Sequence, residues 1–401
     1  MRLIYGLVFF ACISLSSNAQ FLKTGLWQGT IHYTEKKVPF AFEVTYPDGS
    51  LPQLTFINGQ ERRVISDVSF IDGRLIVPIT PFDVELQAEI TATSMKGKYV
   101  KNYRKRSFDF TATYGAPRLQ KRSTRPSVKL EDRWAMTFEP DTKDASEGVG
   151  IFRQVGGVVY GTFLTKTSDY RYFEGIIDGD SLKMSSFDGA HAFMLLGKKA
   201  EGSWNGEIVF DDGYKESWKA SADPTAELPD PFEMVKLEPG THKPYYDLLA
   251  AGSGRNFLNP IEFQDKVVVI QLFGTWCPNS HDQTKFLTSW YRENKDRGVE
   301  IIAASYEADY SKSYGLSRLE SYREANEIPY KMVLGGKLSK TDAATPFPFI
   351  KRISAFPTLV IVDKQGYARY VHSYFNGPAT GAYYKEFQDR FNEIVDELLA
   401  E

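Results

Sequence analysis

The residues with the most chemistry in this chain are Cys277-Pro278-Asn279-Ser280. They follow the apolar run Lys266-Val-Val-Val-Ile-Gln-Leu-Phe273 and the tripeptide Gly274-Thr275-Trp276. A short apolar run closed by glycine reads as a buried strand, and Pro278 suits the first turn of a helix, where no N–H is needed. A sulfur at that junction meets unpaired backbone N–H groups and the positive end of the helix dipole, which favour a thiolate by about 0.3–1 kcal/mol. Three positions on, one helical turn brings a second side chain beside the first. A second thiol there would attack a mixed disulfide and release the product. Position 280 is Ser. Its hydroxyl can hydrogen-bond a thiolate, but it cannot form an S–S bond.

The chain has two cysteines, Cys12 and Cys277. Arg2, the apolar stretch Ile4 to Leu15 and the small residues Ser17-Asn18-Ala19 read as an export signal over 1–19, cut near Ala19-Gln20. The apolar stretch is too short for a stable membrane helix. Acylation of Cys12 competes as a reading and is the one route to membrane association, but Phe9-Phe10-Ala11 poorly matches the small-residue context it needs. Removal of the signal leaves Cys277 as the single thiol, so no internal disulfide is expected in an exported protein of the periplasm or cell envelope.

With 401 residues, two or three domains are expected. A net charge of −3 gives no general affinity for polyanions, and no nucleic-acid partner is expected. From Trp27 to about Ala222, short alternating runs are punctuated by Asp48-Gly49, Asn58-Gly59, Asp72-Gly73, Asp178-Gly179 and Asp212-Gly213. These are hairpin signals, and they predict an all-β region, a barrel or a sandwich. Phe70-Ile-Asp-Gly, Phe82-Asp83 and Met95-Lys-Gly-Lys-Tyr99 recur at Ile176-Ile-Asp-Gly, Phe187-Asp188 and Ala200-Glu-Gly-Ser-Trp204, offset by 105 or 106 residues. Two related β units are therefore expected, 20–118 and 130–222. The Pro- and Glu-rich 223–240 stretch reads as a semi-rigid linker.

Beyond it, over 241–401, the pattern changes to α/β. Buried strands are expected at Val267–Phe273 and Val299–Ser305, and helices at Asn279–Lys295, Tyr314–Asn326 and Tyr383–Leu399. A hairpin is expected from Thr358–Asp363 and Tyr367–Ser373. This order is the thioredoxin-like plan. Residues from about 240 to 401 resemble the TlpA-type thioredoxin-like proteins, envelope disulfide reductases, through Val267–Pro278 and Phe356-Pro357-Thr358-Leu359. The resemblance implies that Cys277 is the nucleophile. It also implies that Phe356, Pro357 and Thr358 form a cis-proline loop that faces the sulfur and pairs with an incoming peptide. Glu307 matches an acidic active-site residue of some members. Thr275, Trp276 and Pro278 would line the site, with Ser280 beside the thiolate. The insert between Ser305 and Ile353 is also a feature of that family.

Family members with Cys-x-x-Cys cycle between dithiol and disulfide, which Cys-x-x-Ser cannot do alone. Three readings are open. Cys277 is a monothiol acting on protein or peptide disulfides with an external reductant thiol, or the domain is a redox-inactive binding module, or Cys277 reduces peroxides. The last lacks the Pro-x-x-x-Thr-x-x-Cys arrangement, because Ile270 and Gly274 stand at its Pro and Thr. Plainer roles compete residue by residue: an inert core Cys277, an exposed first-turn His281, a surface carboxylate for Glu307, and Trp276 packed beside the sulfur. The five histidines have no paired spacing, so no zinc site is expected, and Gly252-Ser-Gly254 lacks the rest of a dinucleotide fingerprint. No cofactor is expected. Phe187-Asp-Gly-Ala-His191 is an unusual loop without an assigned role.

Overall fold

The computed structural model describes residues 21–33, 36–121, 128–210, 213–253, 258–309 and 311–401. The export signal expected over 1–19, with Cys12, and the residues Asp212 and Gly254 lie outside these residues. The N-terminal half is all-β and contains two sheets of nine strands each. In each, the first strand pairs with the second on one side and the ninth on the other. Gly25–Tyr33 lies between Lys36–Thr45 and Arg106–Tyr114, and Arg133–Phe138 lies between Ser146–Val155 and Lys215–Ala222. Strands such as Val84–Ile90 alternate buried and less buried residues, as one-sided packing requires. Asp72 and Gly73 both take positive φ (50° and 75°), the geometry of a two-residue hairpin turn that follows strand twist.

The two sheets differ in closure. In the second, Val158–Thr165 pairs with both Ser146–Val155 and Phe173–Asp178, so eight strands form a closed barrel. The first stays open between Glu61–Ile65 and Ser69–Ile71. Its core is completed from the barrel: Phe187 packs against Phe40 at 4.2 Å between ring centroids and against Phe56 at 5.2 Å. Ala190, Ala192, Met194 and Val209 join the same apolar cluster.

The C-terminal part is a thioredoxin-like α/β domain. Its sheet runs Lys331–Lys337, Val299–Glu307, Val267–Phe273, Thr358–Val362, Ala368–His372, with parallel pairing among the first three strands and antiparallel pairing after. Every residue of Val267–Phe273 is buried, as expected of a central strand covered on both faces. The long helices are Pro278–Asn294, Lys312–Ala325 and Ala382–Ala400. Phe387, Phe391, Ile394, Val395 and Leu398 form the buried stripe of the last. Among the described residues no helix is long and apolar enough to cross a membrane. Strand Lys331–Lys337 lies within the insert and was not expected from the sequence. The 223–240 stretch is not a free spacer: Ala226 packs with Val149 and Leu164, Phe232 enters the C-terminal core, and the Ser373 amide donates to the Pro231 carbonyl at 3.0 Å.

Candidate active site

Cys277 is the N-cap residue of the 17-residue helix Pro278–Asn294, with Pro278 at its first position. The Cys277 amide donates to Gly274 O at 3.1 Å and its carbonyl accepts from His281 N at 3.0 Å, which fixes the strand-to-helix turn. Cys277 Sγ lies 3.6 Å from Phe356 O, and the Phe356–Pro357 bond is cis. Thr358 Oγ1 donates to Ala355 O at 2.8 Å and holds that loop closed. Ser280 is fully buried and its Oγ is 3.5 Å from Gly274 N, on the thiol side of the turn.

Glu307 anchors the opposite edge. It is not a surface carboxylate but is buried at the end of its strand, where it accepts from the Thr275 amide and hydroxyl, both at 3.0 Å, and from Ser305 Oγ. Burial pushes its carboxyl up, against those hydrogen bonds. Thr275 is thus held away from solvent, and Trp276 is pinned by Nε1 donating to Tyr306 O at 3.0 Å. Its ring also meets Phe356 at 6.2 Å.

Two expectations need correction. Cys277 was expected to be reachable with a lowered pKa, yet it is 6 % exposed. Burial pushes its thiol up, hydrogen bonds from Ser280 and the Ser280 and Asn279 backbone oppose this, and the Asp188 charge adds to the rise. His281 is not an exposed first-turn residue. It is buried, and burial with the Arg63, Lys285 and Arg171 charges pushes it well below its ordinary value.

Both corrections have one cause: the β region lies on the site. From the first unit, Tyr103 stacks on Trp276 at 6.4 Å and Phe82 meets His281 edge-on at 5.5 Å. Tyr314 OH donates to Asp83, and Arg318 donates to Pro81 O at 3.1 Å. From the second, Asn279 Nδ2 donates to Asp169 O at 3.0 Å, and Arg171 reaches Pro278 O at 3.2 Å and forms an ion pair with Asp282. Arg171 also pairs with Glu61 and lies 3.7 Å from Asp188. Asp188 belongs to the loop 187–191. Burial pushes its carboxyl up, but His191, Arg171 and the loop amides overcome this and hold it at about 2.

The structure therefore brings together all nine sequence-predicted residues: Cys277, Ser280, Thr275, Trp276, Pro278, Glu307, Phe356, Pro357 and Thr358. Sequence reasoning missed Tyr103, Phe82, Arg171, Asp188 and Asp282. Four of these lie in the β region, more than 80 residues from Cys277 along the chain, so no local spacing links them. Only the odd loop 187–191 carried a signal. Among the described residues no three His, Cys, Asp or Glu side chains come together as metal ligands. A cleft of about 520 Å³ between the barrel and the last helix, lined by Arg133, Phe152, Tyr172 and Tyr383 among others, includes none of the nine residues.

Residues 251–371 match the AhpC/TSA family model. Curated relatives described as thiol-disulfide oxidoreductase ResA, from Bacillus thuringiensis and Bacillus cereus, are each 26% identical over 111 residues, covering 26% of this chain and 53% of theirs. The chain thus spans about half the length of the curated relatives it matches. Among solved structures, a thioredoxin-family thiol:disulfide interchange protein from Chlorobium tepidum is 19% identical, covering 37% of this chain and 89% of that one, with a TM-score of 0.27. A secreted thiol-disulfide isomerase from Corynebacterium glutamicum is 18% identical, covering 37% and 81%, with a TM-score of 0.29. The C-terminal part is a thioredoxin-like domain whose relatives are thiol-disulfide oxidoreductases.

Proposed function

We propose that the protein is an exported, TlpA-type thiol-disulfide oxidoreductase that works through the single thiol of Cys277 on protein or peptide disulfides. The observation that carries this is the position of the sulfur, at the N-cap of a long helix and 3.6 Å from the Phe356 carbonyl beside Pro357. The Cys277 thiolate attacks one sulfur of a substrate disulfide. One S–S bond breaks, a mixed disulfide forms, and the other substrate sulfur leaves as a thiolate. With Ser280 in the second position, an external reductant thiol attacks Cys277 Sγ of the mixed disulfide and releases the second substrate thiolate. A second external thiol then attacks the new disulfide, freeing Cys277 and leaving as the external disulfide. Phe356, Pro357 and Thr358 would hold the substrate strand, and Thr275, Trp276 and Pro278 would shape its seat. Glu307 would position Thr275, and the working parts would be the units 20–118, 130–222 and 241–401.

The test is covalent capture. Incubation with a disulfide-bonded peptide should yield one mixed disulfide at Cys277 and one equivalent of released peptide thiol, absent from Cys277→Ala. Absence of the adduct even from chain with an exposed Cys277 rejects the proposal. The burial of Cys277 favours a second reading, a redox-inactive binding module. It predicts that Cys277→Ala retains every partner of the unaltered chain.

A further inference from the structure

The part of a thioredoxin-like site that a peptide must touch is the thiol turn and the proline loop. Here Cys277, Pro278, Phe356 and Pro357 are all buried, and Trp276 is half-buried. Their cover comes from this chain. The turn at Thr80–Phe82 and the turn at Asn102–Arg104 come from the first sheet, and the segment 168–171 and the loop 187–191 come from the second. We infer that the β region is a closed cover over the thiol, so that a protein disulfide reaches Cys277 only after the first sheet parts from the thioredoxin-like domain. The role in regulation rests on the thiol-exchange proposal, whereas the cover itself does not.

Three features fit a cover that opens rather than a fixed core. Its contacts on the first-sheet side are polar or aromatic: Tyr314 to Asp83, Arg318 to Pro81 O and Thr80 O, Tyr103 on Trp276, Phe82 edge-on to His281, and Lys105 to Asp309 at 3.7 Å. Tyr314 and Arg318 lie only half-buried on the helix Lys312–Ala325, which follows strand Val299–Glu307. On the second-sheet side, by contrast, Arg171 is a deep ionic clamp with a side chain 3 % exposed. A hinge at the clamp and a latch at Asp83 and Tyr103 is the arrangement these contacts describe. In the closed state burial pushes the Cys277 thiol up, and the Asp188 charge adds to the rise. Parting the first sheet removes the burial that its turns supply.

The experiment measures alkylation of Cys277 in the full chain by N-ethylmaleimide and by a maleimide carrying a polyethylene glycol chain, read on the peptide that contains Cys277. A covered thiol reacts only through its open state, so the rate follows the population of that state. The unaltered chain should react far more slowly than the chain unfolded in urea, with the bulky reagent slower still. In Tyr314→Phe/Arg318→Ala, each lost hydrogen bond is worth about three- to tenfold in the opening equilibrium, so the rate should rise by about tenfold or more. Tyr103→Ala provides a second latch variant that touches neither the thioredoxin-like helices nor the clamp. Unaltered chain that reacts as fast as unfolded chain overturns the cover, and so do latch variants that fold normally and react no faster. The same samples are then given oxidised glutathione. Faster alkylation without a mixed disulfide leaves the cover standing and sinks the exchange chemistry. A mixed disulfide formed equally fast in all chains supports the chemistry and sinks the cover.

Discussion

Replacing Arg171 by Met should loosen the junction of the three units more than any other single change there. The Arg171 side chain is 3 % exposed and is paired with Glu61 (12 %), Asp188 (2 %) and Asp282 (11 %), one group from each unit. Burial pulls its charge down, but Glu61, Asp188 and Asp169 more than offset that. Met fills much of the volume but leaves the carboxylates without their shared cation, although Arg63 still pairs with Glu61 at 3.4 Å. Breaking a buried pair from one side costs about 3–5 kcal/mol. Arg171→Lys retains the charge but cannot span Glu61, Asp282 and Pro278 O at once, so its cost should be about 1–3 kcal/mol. Urea unfolding followed by tryptophan fluorescence is the assay, and with an m-value of about 3 kcal/mol per molar the midpoint of Arg171→Met should fall by about 1 M. If unfolding occurs in steps, the loss falls on the step that parts the units. In a double-mutant cycle, Asp282→Asn removes one orphaned charge, so the pair of substitutions should cost clearly less than their sum. A cost below about 1 kcal/mol, or strict additivity, would show that Arg171 does not hold the junction.

Ser280→Cys should form a disulfide with Cys277 and create insulin-reductase turnover once the cover is unlatched. No turnover in an unlatched chain would mean that the rest of the groove has lost competence. Alkylation of the native thiol should rise with pH along a curve centred above that of an ordinary cysteine, because burial holds Cys277 protonated. A centre at or below the ordinary value refutes this. Stability should fall as pH drops through about 6.5, because an unfolded histidine takes up a proton there while buried His372, held down to about 3 by burial, does not. The slope per such histidine approaches about 1.4 kcal/mol per pH unit, and His281 adds in the same sense. Replacing His372 by Phe should flatten the dependence measured between pH 7 and 5; an unchanged slope would exclude His372 as its source.

The thioredoxin-like plan was legible because its signals are local. Val267–Phe273 is apolar at every position because both faces are covered, and Cys277-Pro278 marks a helix start by the chemistry of an N-terminus. The repeat at an offset of about 105 residues suggests two β units, and among the described residues both sheets have nine strands, with the first flanked by the second and the ninth. What the sequence could not carry is closure. Whether a nine-strand sheet shuts on itself or stays open depends on pairing between distant strands, and the open sheet borrows Phe187 from its neighbour. The state of the thiol was equally hidden. By its neighbours in the chain, Cys277 sits at a helix N-terminus that favours the anion. Only the tertiary structure brings Tyr103, Phe82, Arg171 and Asp188 over it, and burial, which acts through distance in space and not along the chain, then outweighs the dipole.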